Sequence, residues 1–322
     1  MFRGNREVIL AVLLILPVFP VRAFGAVENV LSRVVSVRSN ALGGGGTALS
    51  GGPEMVWVNP ASASAGKTGW ELSVGGTQGY FNEMTGAGAL GFNLWIVDLF
   101  AGGAAFDTGA VTLNSSDGSS RTVIGQRDTM GMAALAADLG FLGRQGCQIY
   151  FMRSSLMGEF NAKAVAGSWG MRHDASDTVS WGASVRNFGQ RIRYSDESLP
   201  TTATGRIGVM VRSLMGKTAD KPSAAPDQLR LIVDAEIPLA APKVAFAAGA
   251  ELQLGGSYFL RAGGHFGQAG KLDTVTAGLG VDMRLATGGD SGTGGRYRLD
   301  YAIKYKTGAL GTPSSFNLTL VF

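Results

Sequence analysis

The residues that could carry catalysis or hold a metal are few in this sequence of 322 residues. It contains two histidines, His173 and His265, and one cysteine, Cys147. Ser176 and Asp174 lie beside His173, but side chains this close in sequence seldom reach the geometry of a catalytic triad. Two distant histidines and one cysteine do not give the ligand spacing of a metal site. The sequence therefore predicts a protein that is not an enzyme and that binds no metal and no cofactor.

Charged side chains that alternate with apolar ones are the second candidate set. Between Arg296 and Lys306, every second residue is Tyr, Leu or Ile, and most of the residues between them are charged. Strand side chains alternate between two faces, so the charges share one face. A lysine or arginine on a lipid-facing surface near the bilayer midplane costs about 2–4 kcal/mol. We therefore expect the charges of this segment and of two similar ones to line a polar interior: Arg230, Asp234, Glu236, Asp282, Arg284, Arg298, Asp300 and Lys304. A soluble β-sandwich with these charges on its solvent face is the alternative.

Segments of this kind recur along most of the chain. From Lys67 onward, alternating segments of about ten residues follow one another between turn-rich breaks, and a tilted membrane strand has this length. Beyond the amino terminus, no apolar run reaches the roughly 18 residues of a spanning helix. A membrane-crossing chain must then form a closed barrel, because only helices and barrels pair every backbone group in lipid. We predict an all-β fold at residues 67–322, a transmembrane antiparallel β-barrel of about 14 strands.

The last strand has a clear lipid-facing pattern. Phe316, Leu318, Leu320 and Phe322 fall on one face of an extended segment, and Asn317 falls on the other. A closing strand that ends on phenylalanine resembles those of bacterial outer-membrane barrels, whose assembly machinery reads the terminal aromatic residue. The four apolar residues are therefore predicted to face outer-membrane lipid and to act as an assembly signal. Leu318→Arg is predicted to impair assembly and Asn317→Arg to be tolerated.

The amino terminus has the layout of a secretory signal peptide. Arg3 and Arg6 precede an apolar run that is too short and too interrupted by proline for a spanning helix, and small residues follow it. We predict a cleaved signal peptide at residues 1–26 and an outer-membrane location. Loss of Arg3, Arg6, Arg22 and Glu7 lowers the net charge from +4 to nearly neutral. The remaining charges are dispersed, so no nucleic-acid partner is expected.

Residues 27–66 lack the strand pattern. Asn59 suits the N-cap of a helix, Pro60 suits the first helical position, and Ala61 follows them. We expect this region to form a short, partly helical plug segment ahead of the barrel. The run Gly43–Gly46 is not expected to bind phosphate, because no Lys-Ser or Lys-Thr follows it.

Several short motifs, in this order, resemble the PorV/PorQ family, whose members are related to the FadL-like hydrophobe-transport barrels. They are Ala41-Leu-Gly-Gly-Gly-Gly-Thr-Ala-Leu49, Val58-Asn-Pro-Ala61, Val185-Arg-Asn-Phe-Gly189, Gly249-Ala-Glu251 with Leu260-Arg-Ala-Gly263, and Asp300-Tyr-Ala302 with the terminal Phe322. The family usually has acidic residues after the Thr-Ala stretch, whereas here Glu54 is the nearest acid. The resemblance implies an outer-membrane barrel of the FadL type with its amino-terminal segment folded into or against the lumen.

The resemblance implies two alternative functions. Some PorV/PorQ members work with the type IX secretion system, which implies support of protein secretion or surface display, with secreted cargo proteins or secretion-system components as partners. The alternative is FadL-like passive transport of hydrophobic small molecules across the outer membrane. Trp57, Trp70, Phe81 and Phe92 could form an apolar site for that role, although such aromatic residues more often pack internally or belong to a lipid belt.

Overall fold

The structure of the protein is a computed structural model. It describes residues 30–31, 33, 36–66, 69–80, 83–114, 116–194, 197–199, 203–215, 226–239, 243–267, 272–284, 295–306 and 311–322. The predicted signal peptide at residues 1–26 and the first residues of the predicted plug segment lie outside these ranges.

Strands make up most of the described chain, as the alternating pattern predicts. They are β1 (Trp70–Gln78), β2 (Met84–Leu94), β3 (Val97–Asp107), β4 (Ala110–Asn114), β5 (Ser120–Ile124), β6 (Gln126–Asp138), β7 (Arg144–Leu156), β8 (Phe160–Asp174), β9 (Val179–Gly189), β10 (Ile192–Tyr194), β11 (Glu197–Leu199), β12 (Thr204–Met215), β13 (Asp227–Pro238), β14 (Ala245–Leu254), β15 (Tyr258–Phe266), β16 (Leu272–Arg284), β17 (Arg296–Lys306) and β18 (Ser314–Val321).

Fourteen of these strands close into one antiparallel barrel, in which β18 pairs with β1. The other four form two hairpins, β4–β5 and β10–β11, which connect β3 to β6 and β9 to β12. Both hairpins lie at the end that we call the hairpin end. The opposite, carboxy-terminal end holds Phe322, whose backbone N–H donates to Trp70 at 3.0 Å. The predicted all-β barrel of about 14 strands is confirmed.

The outer surface of the barrel is apolar because one face of each strand carries the exposed apolar residues. On β13, Leu231 and Val233 are each at least half exposed, whereas Ile232 and Asp234 are buried. The outward residue Leu299 of β17 is likewise 47% exposed. A wall with this much exposed aliphatic surface is suited to contact with lipid rather than water.

The closing strand β18 has its apolar residues outside and its polar residues inside. Phe316 is 64% exposed and Asn317 only 4%. Asn317 donates to Thr319 at 3.0 Å and accepts from the Ser73 hydroxyl at 2.9 Å. This packing has no room for an arginine, so the tolerance of Asn317→Arg expected from the sequence does not fit the structure. The sequence pattern gives the face of a residue but not how full the lumen is beside it.

The face assignment gives a testable prediction. We expect Leu318→Arg to reduce strongly the amount of folded barrel, because a charge is placed in lipid at a cost of about 2–4 kcal/mol. Val321→Arg is the control, since Val321 lies on the inner face of the same strand and lines a polar cavity with Glu71 and Asp282. Heat-modifiable migration of the membrane fraction on gels measures the folded amount. Equal losses in the two variants would contradict the assignment.

Residues 36–66, called the plug below, lie inside the barrel. They contain one α-helix, α1 (Val37–Ala41), and two 3₁₀ helices, Pro53–Trp57 and Pro60–Ser62. A third 3₁₀ helix, Gly140–Leu142, lies in the turn between β6 and β7. None of the helices in the described ranges has the length and the apolar character that a bilayer crossing requires.

Candidate functional site

The plug and the inner wall around it form the candidate functional site. Nearly every plug side chain is buried, including polar ones such as Ser39, Thr47 and Asn59, which have no measurable exposure. A segment without sheet pairing must satisfy its backbone and polar groups elsewhere, because buried groups without partners are costly. The barrel wall supplies these partners.

Glycines on the inner wall let the plug backbone approach closely. A Cβ atom built on each of six of them would lie less than 3.0 Å from a plug atom, closer than real side chains pack. We call this set the glycine cradle; it consists of Gly146, Gly170, Gly182, Gly249, Gly263 and Gly278. Each belongs to a different strand, from β7 to β16, so the plug backbone lies against much of the circumference.

A buried charge cluster ties α1 to β13, β14 and β15 of the wall. Arg38 donates from Nε and Nη2 to the two oxygens of Glu251, at 2.8 and 2.7 Å. Arg230 and Arg261 donate to the same carboxylate at 2.5 and 2.7 Å. Glu251 is fully buried, and three guanidinium groups therefore share one carboxylate. Arg261 also bonds to Asp300 at 2.7 Å, which extends the cluster to β17.

A second attachment holds the glycine-rich turn of the plug. Asp234 on β13 accepts from the backbone N–H groups of Gly46 and Thr47, at 2.8 and 2.9 Å, and from the Thr47 hydroxyl at 2.7 Å. A carboxylate that receives several N–H and O–H bonds makes strong, directional contacts. The glycine-rich motif thus supplies backbone N–H groups that bind Asp234 of the barrel wall.

The Asn-Pro-Ala motif has a structural role in the plug. Asn59 accepts from the Ala61 N–H at 3.0 Å and caps the 3₁₀ helix that begins at Pro60. Its amide donates to the carbonyls of Thr47 at 2.8 Å and of Met171 on β8 at 3.1 Å. The motif therefore joins two plug turns to the wall.

The remaining predicted interior charges lie on the inner faces of their strands in different settings. Glu236 pairs with Arg206, and Asp282 pairs with Arg296. Arg298 bonds to Asp300 at 3.0 Å. Lys304 is half-buried, whereas Arg284 is exposed at the end of β16.

The Val185–Gly189 motif forms a bulge in β9. The register of β8 and β9 shifts there, so Arg186 and Asn187 both turn inward and are at most 9% exposed. Asn187 has φ of 58°, a conformation that asparagine tolerates better than most residues. Its side-chain amide donates to the carbonyl of Leu31 at 2.7 Å. The bulge therefore holds the chain just before the plug.

The acid nearest to the Thr47-Ala48 stretch of the plug, Glu54, has an unusual setting. Glu54 is 6% exposed, and its Oε2 atom has no hydrogen-bond partner in the part of the chain that the structure describes. Burial raises the pKa of Glu54 above its usual range, and the nearby guanidinium of Arg298 opposes this effect only in part. The folded plug thus favours the protonated carboxyl.

The two sides of the plug differ in character. At the carboxy-terminal end, a polar cavity of about 730 Å³ is lined by Arg172, Arg230, Arg298, Glu71 and Asp282, among others. Toward the hairpin end, apolar side chains from the wall and from β10 pack with Trp57 of the plug. The plug lies between the polar cavity and this packed apolar region.

The four aromatic residues considered for an apolar site do not come together. Trp57 is buried in the plug at 5% exposure. Trp70 and Phe92 lie on the outer wall, with ring centroids 6.3 Å apart in an edge-to-face contact. Phe81 lies outside the described residues. The idea of one site built from these four residues is therefore wrong.

The residues first considered for catalysis do not form a triad. Asp174 bonds to Arg172 and Ser180, and His173 packs its ring against Trp181 at 5.9 Å. Among the described residues, no group of three or more His, Cys, Asp or Glu side chains is placed to hold a metal ion.

Comparison with known proteins places the fold. No family model matches the sequence, and no curated protein matches it at a significant level. The monoaromatic hydrocarbon channel CymD is similar in structure with a TM-score of 0.56 and 13% identity, over 91% of this chain and 97% of that one. The Pseudomonas putida toluene transporter TodX gives 0.56 and 12%, over 93% and 98%. A Pseudomonas aeruginosa FadL homologue gives 0.53 and 10%, over 92% and 99%. The chain therefore has the fold of the FadL-like barrels.

Proposed function

We propose that the protein is a non-enzymatic outer-membrane barrel that allows small hydrophobic molecules to cross the membrane passively. The fold is shared with transporters and channels, and the exposed aliphatic wall is suited to lipid. Bacterial outer-membrane barrels have their longer connections outside the cell. The hairpin end, with β4–β5 and β10–β11, is therefore proposed to face outward.

The observation that carries the proposal is an apolar wall on one side of the lumen. Its side chains face inward from β3, β6, β7 and β10, and each is at most 7% exposed: Phe106, Met130, Met132, Met152, Ile192 and Tyr194. The lumen wall on the other side carries the charges of β12 to β17, such as Asp234 and Glu251. Methionine side chains are flexible and polarisable, which suits contact with apolar molecules of varied shape.

The plug controls this route in the proposal. Trp57 of the plug, and Val30 and Leu31 just before it, belong to the same buried cluster as the apolar wall, so a hydrophobe that enters from the hairpin end meets these residues first. Passage to the polar cavity then requires a local shift of plug residues, which the close packing of the lumen resists.

The test is uptake of labelled toluene by cells that produce the protein. We expect Met152→Gln to lower the uptake about tenfold, because a polar group in an apolar pocket changes hydrophobe affinity by about 1–3 kcal/mol. Met157→Gln is the matched control, since Met157 is 44% exposed in a turn. Folded barrel is measured in both. Wild-type uptake equal to that of cells without the protein would overturn the proposal.

Support of protein secretion is the second candidate, and the sequence motifs of the PorV/PorQ type favour it. Deletion of the gene would then remove from the cell surface and medium a set of exported proteins that share one carboxy-terminal domain. An unchanged set of exported proteins, together with lost toluene uptake, would favour the transport proposal.

A further inference from the structure

Two cations lie side by side on the outer wall near the hairpin end. Arg153 on β7 and Lys163 on β8 are both exposed, and their inward neighbours Met152, Ser154, Ala162 and Ala164 are buried. The register of the two strands puts Arg153 directly opposite Lys163. Like charges in directly opposed positions of a sheet repel each other.

Neither cation has an ion-pair partner among the side chains that the structure describes. Two described acids at this end have other partners: Asp107 pairs with Arg127 at 2.8 Å, and Glu159 pairs with Arg121 at 2.6 Å. Within the described ranges, Arg153 and Lys163 have no acid within ion-pair distance. Opposed like charges on the outer wall repel each other, and an anion from outside the chain would compensate them.

The surface around the cations combines polar and apolar parts. Arg153 and Lys163 border a groove of about 630 Å³ whose other walls include Thr129, Gln190, Phe151 and Val165. Gly131 in the groove is exposed, and a Cβ atom built on it would have no neighbouring atom within 4 Å. Phe151 is 62% exposed, lies two residues before Arg153 on β7 and pairs with Val165 of β8. A charged head group and an apolar chain could therefore lie in the groove together.

We infer that this groove binds a membrane lipid with an anionic phosphate head group. Arg153 and Lys163 hold the phosphate, for which guanidinium and ammonium groups are the usual protein partners. Thr129 and Gln190 offer further hydrogen-bond donors, and an acyl chain lies over Gly131 beside Phe151. Six residues along β8 separate Lys163 from the outward Trp169, about 20 Å, so the phosphate sits near one membrane surface and the chain reaches into the hydrocarbon.

The inference rests on the proposed membrane placement, in which the hairpin end faces outward. The lipid is then one of the outer leaflet, where a phosphorylated glycolipid such as lipid A supplies both the phosphates and the acyl chains. It does not depend on passage of hydrophobes through the lumen, because the groove lies outside the barrel.

The experiment measures retention of lipid A by the purified full-length barrel in detergent, with native mass spectrometry. We expect the double variant Arg153→Gln, Lys163→Gln to retain it about tenfold less well, since two charge-assisted contacts are lost. Arg121→Gln is the control, because Arg121 is an exposed arginine at the same end with its own acid partner. Heat-modifiable migration shows that each variant is folded.

Three results would overturn the inference. They are equal retention by the wild type and the double variant, equal binding of dephosphorylated lipid A, and complete displacement of lipid by inorganic phosphate, which would identify a free anion as the ligand. Toluene uptake is measured on the same variants. We expect the double variant to lose lipid retention but to keep normal toluene uptake. Absence of toluene uptake in the wild type would contradict the transport proposal without affecting the conclusion on lipid binding.

Discussion

Glu251→Gln is expected to destabilise the barrel by about 3–5 kcal/mol, the usual cost of removing one partner from a buried ion pair. Glu251 is fully buried and accepts from Arg38, Arg230 and Arg261. The amide keeps the shape of the side chain but not its charge. The three guanidinium groups would then lose the carboxylate that they share. Of the three, only Arg261 would keep an acid partner in this cluster, Asp300.

The substitution should loosen the plug as well as lower the overall stability, because Arg38 of the plug forms its ion pair with Glu251. We expect a lower midpoint of urea-induced unfolding and a larger single-channel conductance in planar bilayers. Arg38→Gln should raise the conductance similarly but destabilise the barrel less, since Glu251 keeps two wall arginines. The two variants therefore separate attachment of the plug from stability of the wall.

Glu159→Gln is the matched control. Glu159 makes one ion pair with Arg121, and both side chains are more than half exposed. Exposed pairs contribute about 0–1 kcal/mol, so unfolding and conductance should stay close to those of the wild type. A Glu251→Gln protein with wild-type stability and conductance would show that the buried cluster does not hold the plug.

The sequence was sufficient to predict the wall of this barrel. Alternation is a local property of each strand, and the lipid-facing side is recognisable from its aliphatic and aromatic residues alone. For this reason the two faces of β13, β17 and β18 could be assigned without partners, and the strand count followed from the repeated segments.

The attachments of the plug could not be predicted in the same way. Arg38 and Glu251 are 213 positions apart, and no local pattern pairs them. Alternation on β14 and β15 would have identified Glu251 and Arg261 as inward charges, because Ala250, Leu252, Leu260 and Ala262 flank them. It could not show that Arg38 of α1 would meet them.

The sequence also could not predict how densely the lumen is packed. Asn317 belongs to the polar face of β18, as the pattern predicts, but that face is covered rather than open to water. The chain contains 49 glycines, and their number alone does not identify those that face the lumen. Their positions gain meaning from the structure, where some of them face a plug backbone and others face lipid.

Gly263→Ala is expected to displace the plug, because the added Cβ would lie less than 3.0 Å from backbone atoms of Leu42 and Gly43. Backbone cannot rotate away as a flexible side chain does, so overpacking of about 1–3 kcal/mol or more is expected. We expect faster proteolysis within the plug and a larger channel conductance.

Gly131→Ala is the matched control for this substitution. Gly131 also lies in a barrel strand, but it faces outward, and an added Cβ would have no neighbour within 4 Å. Its replacement should be neutral or slightly stabilising, because alanine restricts the unfolded chain more than glycine does. If both alanine variants keep the wild-type proteolysis pattern and conductance, the plug does not need the glycine cradle. A difference confined to Gly263→Ala would show that close backbone contact, rather than strand propensity, fixes glycine at this position.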